Sequence, residues 1–192
     1  GYTSNVSNTL PLALQELDKT VLLAFNGSGN LFMDYFVLTL TSAYTWIAFY
    51  VSLLYLVVKN NENWLKIVLV IGAVALGLMI VDGTNLAFVK PFVARLRPLE
   101  APGLQGLVVP AEHYRAEGYS FFSSHAANAF VVAVFFSLLV RDRFFTAILV
   151  AWSTVVSLTR LYLGVHYPSD VLTGMLSGSA VAVFVYGLYR RL

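Results

Sequence analysis

The sequence predicts an all-α fold, an integral-membrane helical bundle of about five transmembrane helices with an N-terminal amphipathic surface helix. Three observations carry this prediction: overall composition, the length of the uncharged runs, and the places where charge returns. Of 192 residues, 58% are hydrophobic and 11% charged, whereas soluble domains carry roughly a quarter charged residues. Asp34 to Lys59 encloses 24 uncharged residues, and Lys66 to Lys90 encloses 23 whose single charge is Asp82. Each run is long enough to cross a hydrocarbon core of about 30 Å.

Three further spans follow at about 124–140, 144–159 and 171–189. The first two of these are short by hydropathy, and the polar residues that abut them extend each helix at the outer interface. Residues 10–26 read differently. Leu10, Leu14, Leu17, Val21 and Leu22 recur at helical spacing while Gln15, Glu16, Asp18 and Lys19 fall elsewhere, the pattern of a helix lying on the membrane surface. The run Asn26-Gly27-Ser28-Gly29-Asn30 ends it. The chain is thus one membrane-embedded domain, 1–192, with 1–34 as surface helix and loop and 35–192 as transmembrane core. Polar opening residues, then Glu16, Asp18 and Lys19, leave no apolar stretch that reads as a signal peptide.

Composition also excludes partners. Cysteine is absent, so disulfides, thiolate chemistry and cysteine-based zinc sites are ruled out. The net charge is +2 with dispersed basic residues, which gives no electrostatic footprint for nucleic acid. Five spans place Lys59, Lys66, Arg141, Arg143, Arg190 and Arg191 on one side, read as cytoplasmic by the positive-inside rule. Lys90, Arg95, Arg97, Arg115 and Arg160 fall on the other side, together with the long irregular stretch 98–119. These charges need a functional explanation. The expected location is the inner membrane, with the site facing the extracytoplasmic side.

Lys90, Arg95 and Arg97 stand where the second span meets water. Arg95 reads equally well as an interfacial anchor, but Pro98 fixes the chain direction behind Arg97, and a point-charge Lys with a bidentate Arg fork suits phosphate oxygens. Ser123-Ser124-His125 precedes an apolar helix, whose N-terminus presents N–H groups to an anion. His125 is then placed to donate a proton to a departing oxygen. In the stretch from Thr159 to Asp170, Arg160 adds a third cation and Pro168 suits the first helical position. Asp170 can reach back to His166, fixing its tautomer and leaving the other ring nitrogen free to attack. His113 with Glu112 and Glu117 is too loose a group to hold a metal.

These motifs resemble the type 2 phosphatidic acid phosphatase superfamily of membrane lipid phosphatases, whose pattern is Lys-x6-Arg-Pro, Pro-Ser-Gly-His and Ser-Arg-x5-His-x3-Asp. Lys90, Arg97 and Pro98 match the first motif. Ser123 and His125 match the second, with Phe122 for Pro and Ser124 for Gly; Arg160, His166 and Asp170 match the third, with Thr159 for Ser. The resemblance implies that His166 is the nucleophile of a phosphohistidine intermediate, Asp170 its orienting partner and His125 the general acid. Lys90, Arg97, Arg160 and the backbone of Ser123 and Ser124 would hold the phosphoryl group without metal or cofactor. The implied substrate is a phosphorylated lipid in the bilayer: undecaprenyl pyrophosphate, phosphatidylglycerol phosphate, phosphatidate or a lipid A phosphate. A lipid phosphotransferase would use the same site, and a transporter is the rival that Asp82 inside a span suggests.

Overall fold

The computed structural model describes residues 10–27, 29–111 and 114–192, which form helices and loops with no strand among them. Helix α1 spans Leu12–Phe25, α2 Leu31–Thr41, α3 Ile47–Lys59 behind a 3₁₀ turn at Ala43–Trp46, and α4 Trp64–Thr84. A π-helical turn, Asn85–Val89, joins α4 to the short α5, Lys90–Val93. The core is completed by α6 Ser124–Val140, α7 Arg143–Tyr162 and α8 Pro168–Tyr189. Met79, Phe88, Phe92 and Leu176 are each 70–78% exposed. So large an apolar surface on the outside of a packed bundle is the mark of a lipid-facing wall.

Helix α6 is central, packing on α8, α7 and α4. Its 17 residues, few for a span, are matched by burial: Ala126, Ala127, Val131, Ala133 and Phe135 are fully enclosed. The close approach of α8 comes from Gly174 and Gly178, a Gly-x-x-x-Gly pair facing α6. A Cβ on Gly178 would stand 2.2 Å from the Ala127 carbonyl oxygen, and one on Gly174 2.5 Å from that of Ser123. In lipid, where helix association depends on packing rather than on the hydrophobic effect, small residues at such a seam let backbones meet. That seam seats the start of α6 directly against the first three turns of α8.

Two expectations are corrected here. The predicted span after Asp34 is not continuous: it breaks at Ser42, and the two helical parts meet at 57°. Thr45 donates its hydroxyl to the Thr39 carbonyl and Trp46 its indole N–H to that of Leu40, so freed carbonyls find side-chain donors. The break leaves Thr41 facing the bundle interior rather than lipid. Trp64–Val93, Arg143–Tyr162 and Pro168–Tyr189 meet the length and apolarity for crossing, the bent pair counts as a fourth crossing if it is one broken span, and α6 is a shorter apolar helix. The polar face expected of α1 is also divided differently. Leu12, Leu14 and Leu17 are exposed whereas Asp18 and Leu22 are buried against the bundle, because Asp18 finds a cation inside the protein.

The second span continues beyond Lys90 to Val93. Its hydrogen-bond ladder slips into the π turn just ahead of Pro91, whose missing N–H interrupts an α-ladder in any case. Gly178→Ala should lower the detergent-solubilised unfolding temperature, by the equivalent of about 1–3 kcal/mol. Gly187→Ala, which meets open space, should not lower it. Equal melting of Gly178→Ala and the native chain would refute the α6–α8 seam.

Candidate active site

Each of the three sequence clusters is delivered by the end of a helix. Lys90, in the last turn of the long α4–α5 rod, donates through Nζ to the Tyr119 carbonyl at 3.0 Å. Arg97, just past the left-handed Ala94 that ends α5, is buried. It donates to the carbonyls of Gly118 at 2.9 Å, Glu117 at 2.8 Å and Val165 at 3.0 Å. Arg160, 2% exposed at the end of α7, donates to the Thr41 hydroxyl at 3.1 Å and the Tyr114 hydroxyl at 2.8 Å. The break at Ser42 has therefore placed Thr41 on Arg160. Among the described residues none of these three cations forms an ion pair.

The α6 N-terminus is held from both sides. Ser123 caps Ala126 N–H at 3.3 Å, and its own N–H donates to the Asp170 carbonyl at 3.1 Å. Asn85, fully buried in the π turn, accepts from Phe122 N–H at 3.3 Å and donates to the Phe122 carbonyl at 2.9 Å and the Ser124 hydroxyl at 3.0 Å. The Ser124 side chain, present where the family pattern has Gly, is thus used as an anchor for this turn.

His166 follows the turn at Gly164, whose φ of +67° favours glycine. A Cβ there would also stand 2.6 Å from Val108 and 2.9 Å from Asn26. The imidazole is 2% exposed, with Nε2 at 3.2 Å from Arg97 Nη1 and Nδ1 at 3.6 Å from Asp170 Oδ2. Because guanidinium can only donate, the contact with Arg97 requires a lone pair on Nε2 and puts the ring proton on Nδ1, toward Asp170. The latter distance is electrostatic rather than a formed hydrogen bond. Burial lowers the His166 pKa to about 4, against the raising effect of Asp170, with Arg160 and Arg97 lowering it further. The ring is therefore neutral at pH 7, with its free lone pair on the side of the cations.

Lys90, Arg97, Ser124, His125, Arg160 and His166 line one cavity of about 380 Å³. Asp82 and Asn128 share with His125 the wall between it and a second, apolar cavity of about 580 Å³ bounded by α3, α4, α6 and α7. Ser123 and Asp170 are fully buried behind the lining rather than in it. Six of the eight sequence-predicted site residues thus meet at one cavity and two support it. Glu112 and His113, from the loose histidine–acid group, lie outside the described residues.

Sequence reasoning missed the partners: Asn85, Thr41, Tyr114, and above all Arg95 with Asp18. Arg95 is no interfacial anchor. It is 8% exposed and paired with Asp18 and Asp170, each at 2.8 Å. Asp18 lies 77 residues away along the chain, so no local pattern could pair them. The neutral form of His166, with Nε2 unprotonated, should be lost only when the ring protonates. The acid limb of kcat/KM, which reports free-enzyme groups, is expected near pH 4 and to fall as pH drops through it. A limb near 6.5 that vanishes in His166→Ala would contradict the buried, neutral ring.

The chain is similar to known proteins over most of its length. The PAP2 superfamily pattern matches residues 66–192. A lipid A 4'-phosphatase of Bacteroides thetaiotaomicron is 36% identical over 180 residues, covering 93% of this chain and 80% of that protein. A lipid A 4'-phosphatase of Porphyromonas gingivalis is 31% identical over 176 residues, covering 91% and 73%. Among solved structures, the PAP2-type phosphatidylglycerolphosphate phosphatase of Bacillus subtilis is similar in fold, with a TM-score of 0.67, 20% identity, and coverage of 97% of this chain and 91% of that one. LpxE of Aquifex aeolicus superposes with a TM-score of 0.65 at 23% identity, covering 89% and 95%. With its three motifs gathered at one cavity inside an all-helical membrane bundle, the chain belongs to the PAP2 superfamily and is a membrane phosphatase of that family.

Proposed function

We propose that the chain dephosphorylates a phosphorylated lipid through a phosphohistidine on His166. The observation that carries this reading is the single cavity in which His166 Nε2, His125 and three cations without ion-pair partners among the described residues face one another beside an apolar cavity. The His166 lone pair attacks phosphorus, and the bond from phosphorus to the lipid oxygen breaks while His125 gives that oxygen a proton. Water then attacks the phosphohistidine and passes a proton back to His125, releasing inorganic phosphate and neutral His166. Lys90, Arg97, Arg160 and the backbone at Ser124 hold the phosphoryl oxygens, while Ser123, whose N–H is taken by the Asp170 carbonyl, supports that turn from behind and Asp170 orients His166. Three fixed cations supply the charge that a metal would otherwise provide, so no divalent ion takes part.

The apolar cavity suits a hydrocarbon tail, and Asp82 at its junction with the phosphate cavity suits a hydroxyl or amide donor of the headgroup. Two relatives above 30% identity named as lipid A 4'-phosphatases favour a lipid A phosphate over undecaprenyl pyrophosphate, phosphatidylglycerol phosphate or phosphatidate. The test is phosphate release from these four lipids in mixed micelles, with and without EDTA. Release is expected to be fastest from the lipid A phosphate and unchanged by EDTA. His166→Ala and His125→Ala should each cut turnover by at least about a hundredfold, and Arg97→Lys should also be slow through loss of the bidentate fork. Turnover by His166→Ala refutes the mechanism. Lipid dephosphorylation without free phosphate, the group appearing on a second lipid, would identify the phosphotransferase.

The site is proposed to face the extracytoplasmic side of the inner membrane, with α1 on the surface of the same leaflet, so that substrate enters laterally with its tail in hydrocarbon. Both Gln105, in the 98–119 loop, and Glu62, in the turn between α3 and α4, are exposed. In this cysteine-free chain, Gln105→Cys should react with a membrane-impermeant maleimide in spheroplasts and Glu62→Cys should not. The reverse pattern would place the site in the cytoplasm.

A further inference from the structure

One cluster of buried charge lies behind the cavity, and the reaction above uses only its Asp170. Arg95 is enclosed between carboxylates from opposite ends of the chain: Nη1 donates to Asp170 Oδ1 at 2.8 Å and to Ser169 Oγ at 2.7 Å, and Nη2 donates to Asp18 Oδ2 at 2.8 Å. Its guanidinium carbon lies 3.8 Å from the Tyr167 ring centroid. Asp18 also accepts from Ser169, through the backbone N–H at 2.9 Å and through the hydroxyl. Of the four residues that follow His166, three are held by this cluster.

Resting on the phosphohistidine reading, we infer that Arg95 and Asp18 are positioning residues for the reaction, locking the Asp170 carboxylate so that Oδ2 faces His166 Nδ1, and that α1 is thereby part of the catalytic apparatus. Asp170 has two oxygens with different tasks. Oδ2 accepts from Tyr167 N–H at 2.9 Å and faces His166 at 3.6 Å, while Oδ1 is taken by Arg95. With Oδ1 tied, the carboxylate cannot turn away from the ring. Arg95 in turn is a flat fork whose plane is set on one side by Tyr167 and at its far nitrogen by Asp18. Without Asp18 the fork keeps one carboxylate and loses the contact that fixes its tilt. Outer partners of this kind orient an active-site imidazole without touching substrate.

The experiment measures phosphate release from a lipid A phosphate by the purified full-length chain in detergent, separating kcat from KM and recording the unfolding temperature of each variant. Arg95→Ala is expected to lower kcat by about 10–100-fold and Asp18→Asn by about tenfold, the range typical of such outer partners, with KM within about twofold because neither side chain lines the cavity. Arg95→Lys should recover only part of the Arg95→Ala loss, since an ammonium cannot bridge both carboxylates in one plane. Asp18→Asn added to Arg95→Ala should cost nothing more, because the two act through one fork. Native kcat in Asp18→Asn, a loss seen only in KM, or failure of both Asp18→Asn and Arg95→Lys to fold would overturn the inference, the last by making the cluster a structural clasp. His166→Ala run alongside separates the two readings: an active His166→Ala overturns the phosphohistidine, whereas an inactive one with fully active Asp18→Asn overturns the positioning role alone.

Discussion

The structure turns on one fully buried carboxylate, that of Asp170. A charge enclosed in a low-dielectric bundle is tolerated only when paired and hydrogen-bonded, and Asp170 collects what it needs from every part of the site. Arg95 brings the end of the first motif, Tyr167 N–H the start of α8, and His166 the third motif, while the Asp170 carbonyl accepts the N–H of Ser123 from the second. The three clusters are distant in sequence and become one site because their ends converge on this residue. Gly174, one turn on, removes the side chain that would otherwise hold α6 away. Packing and charge compensation therefore act at the same place.

Much of this was legible in the sequence, and for a physical reason. Helices in lipid must satisfy their backbone internally, so span lengths are written as runs without charge, and the boundary of α6 at Ser124 coincides with the expected one. Proline at the first turn of α8 and serine before α6 marked helix starts by local capping chemistry, which needs no tertiary information. Six of the eight proposed site residues, Lys90, Arg97, His125, Arg160, His166 and Asp170, stand out in the sequence because ionisable groups are few in so apolar a chain.

What the sequence hid is long-range or compensated. The break at Ser42 occurs in an uncharged stretch with neither Gly nor Pro, and the contact it allows, Thr41 on Arg160, joins residues 119 apart. Asp18 looked like the polar side of a surface helix because its period matched that pattern; its partner, Arg95, read equally well as an interfacial anchor. Hydrophobic periodicity reports which face of a helix differs from the other, and does not report whether the polar face meets water or a buried guanidinium. The same limit applies to Asn85, which has no motif around it but straps the turn that carries Ser123 and Ser124.

Pairing separates the buried cations by role. Arg95 has two carboxylates and a ring, its charge more than balanced, and it lies behind the site. Lys90, Arg97 and Arg160 are equally removed from water yet are bonded to carbonyls and hydroxyls, which orient a cation without neutralising it. Burying a charge against neutral dipoles alone is less favourable than burying it in an ion pair, so this arrangement lowers the stability of the protein relative to one with its charges matched. In the proposed reaction the substrate phosphate supplies the matching negative charge, while the carbonyls and hydroxyls hold the cations in place. Among the described residues the compensated guanidinium of this cluster is the one held behind the cavity, and the cations without ion-pair partners are the ones that line it, which is the arrangement that the proposed anion site requires.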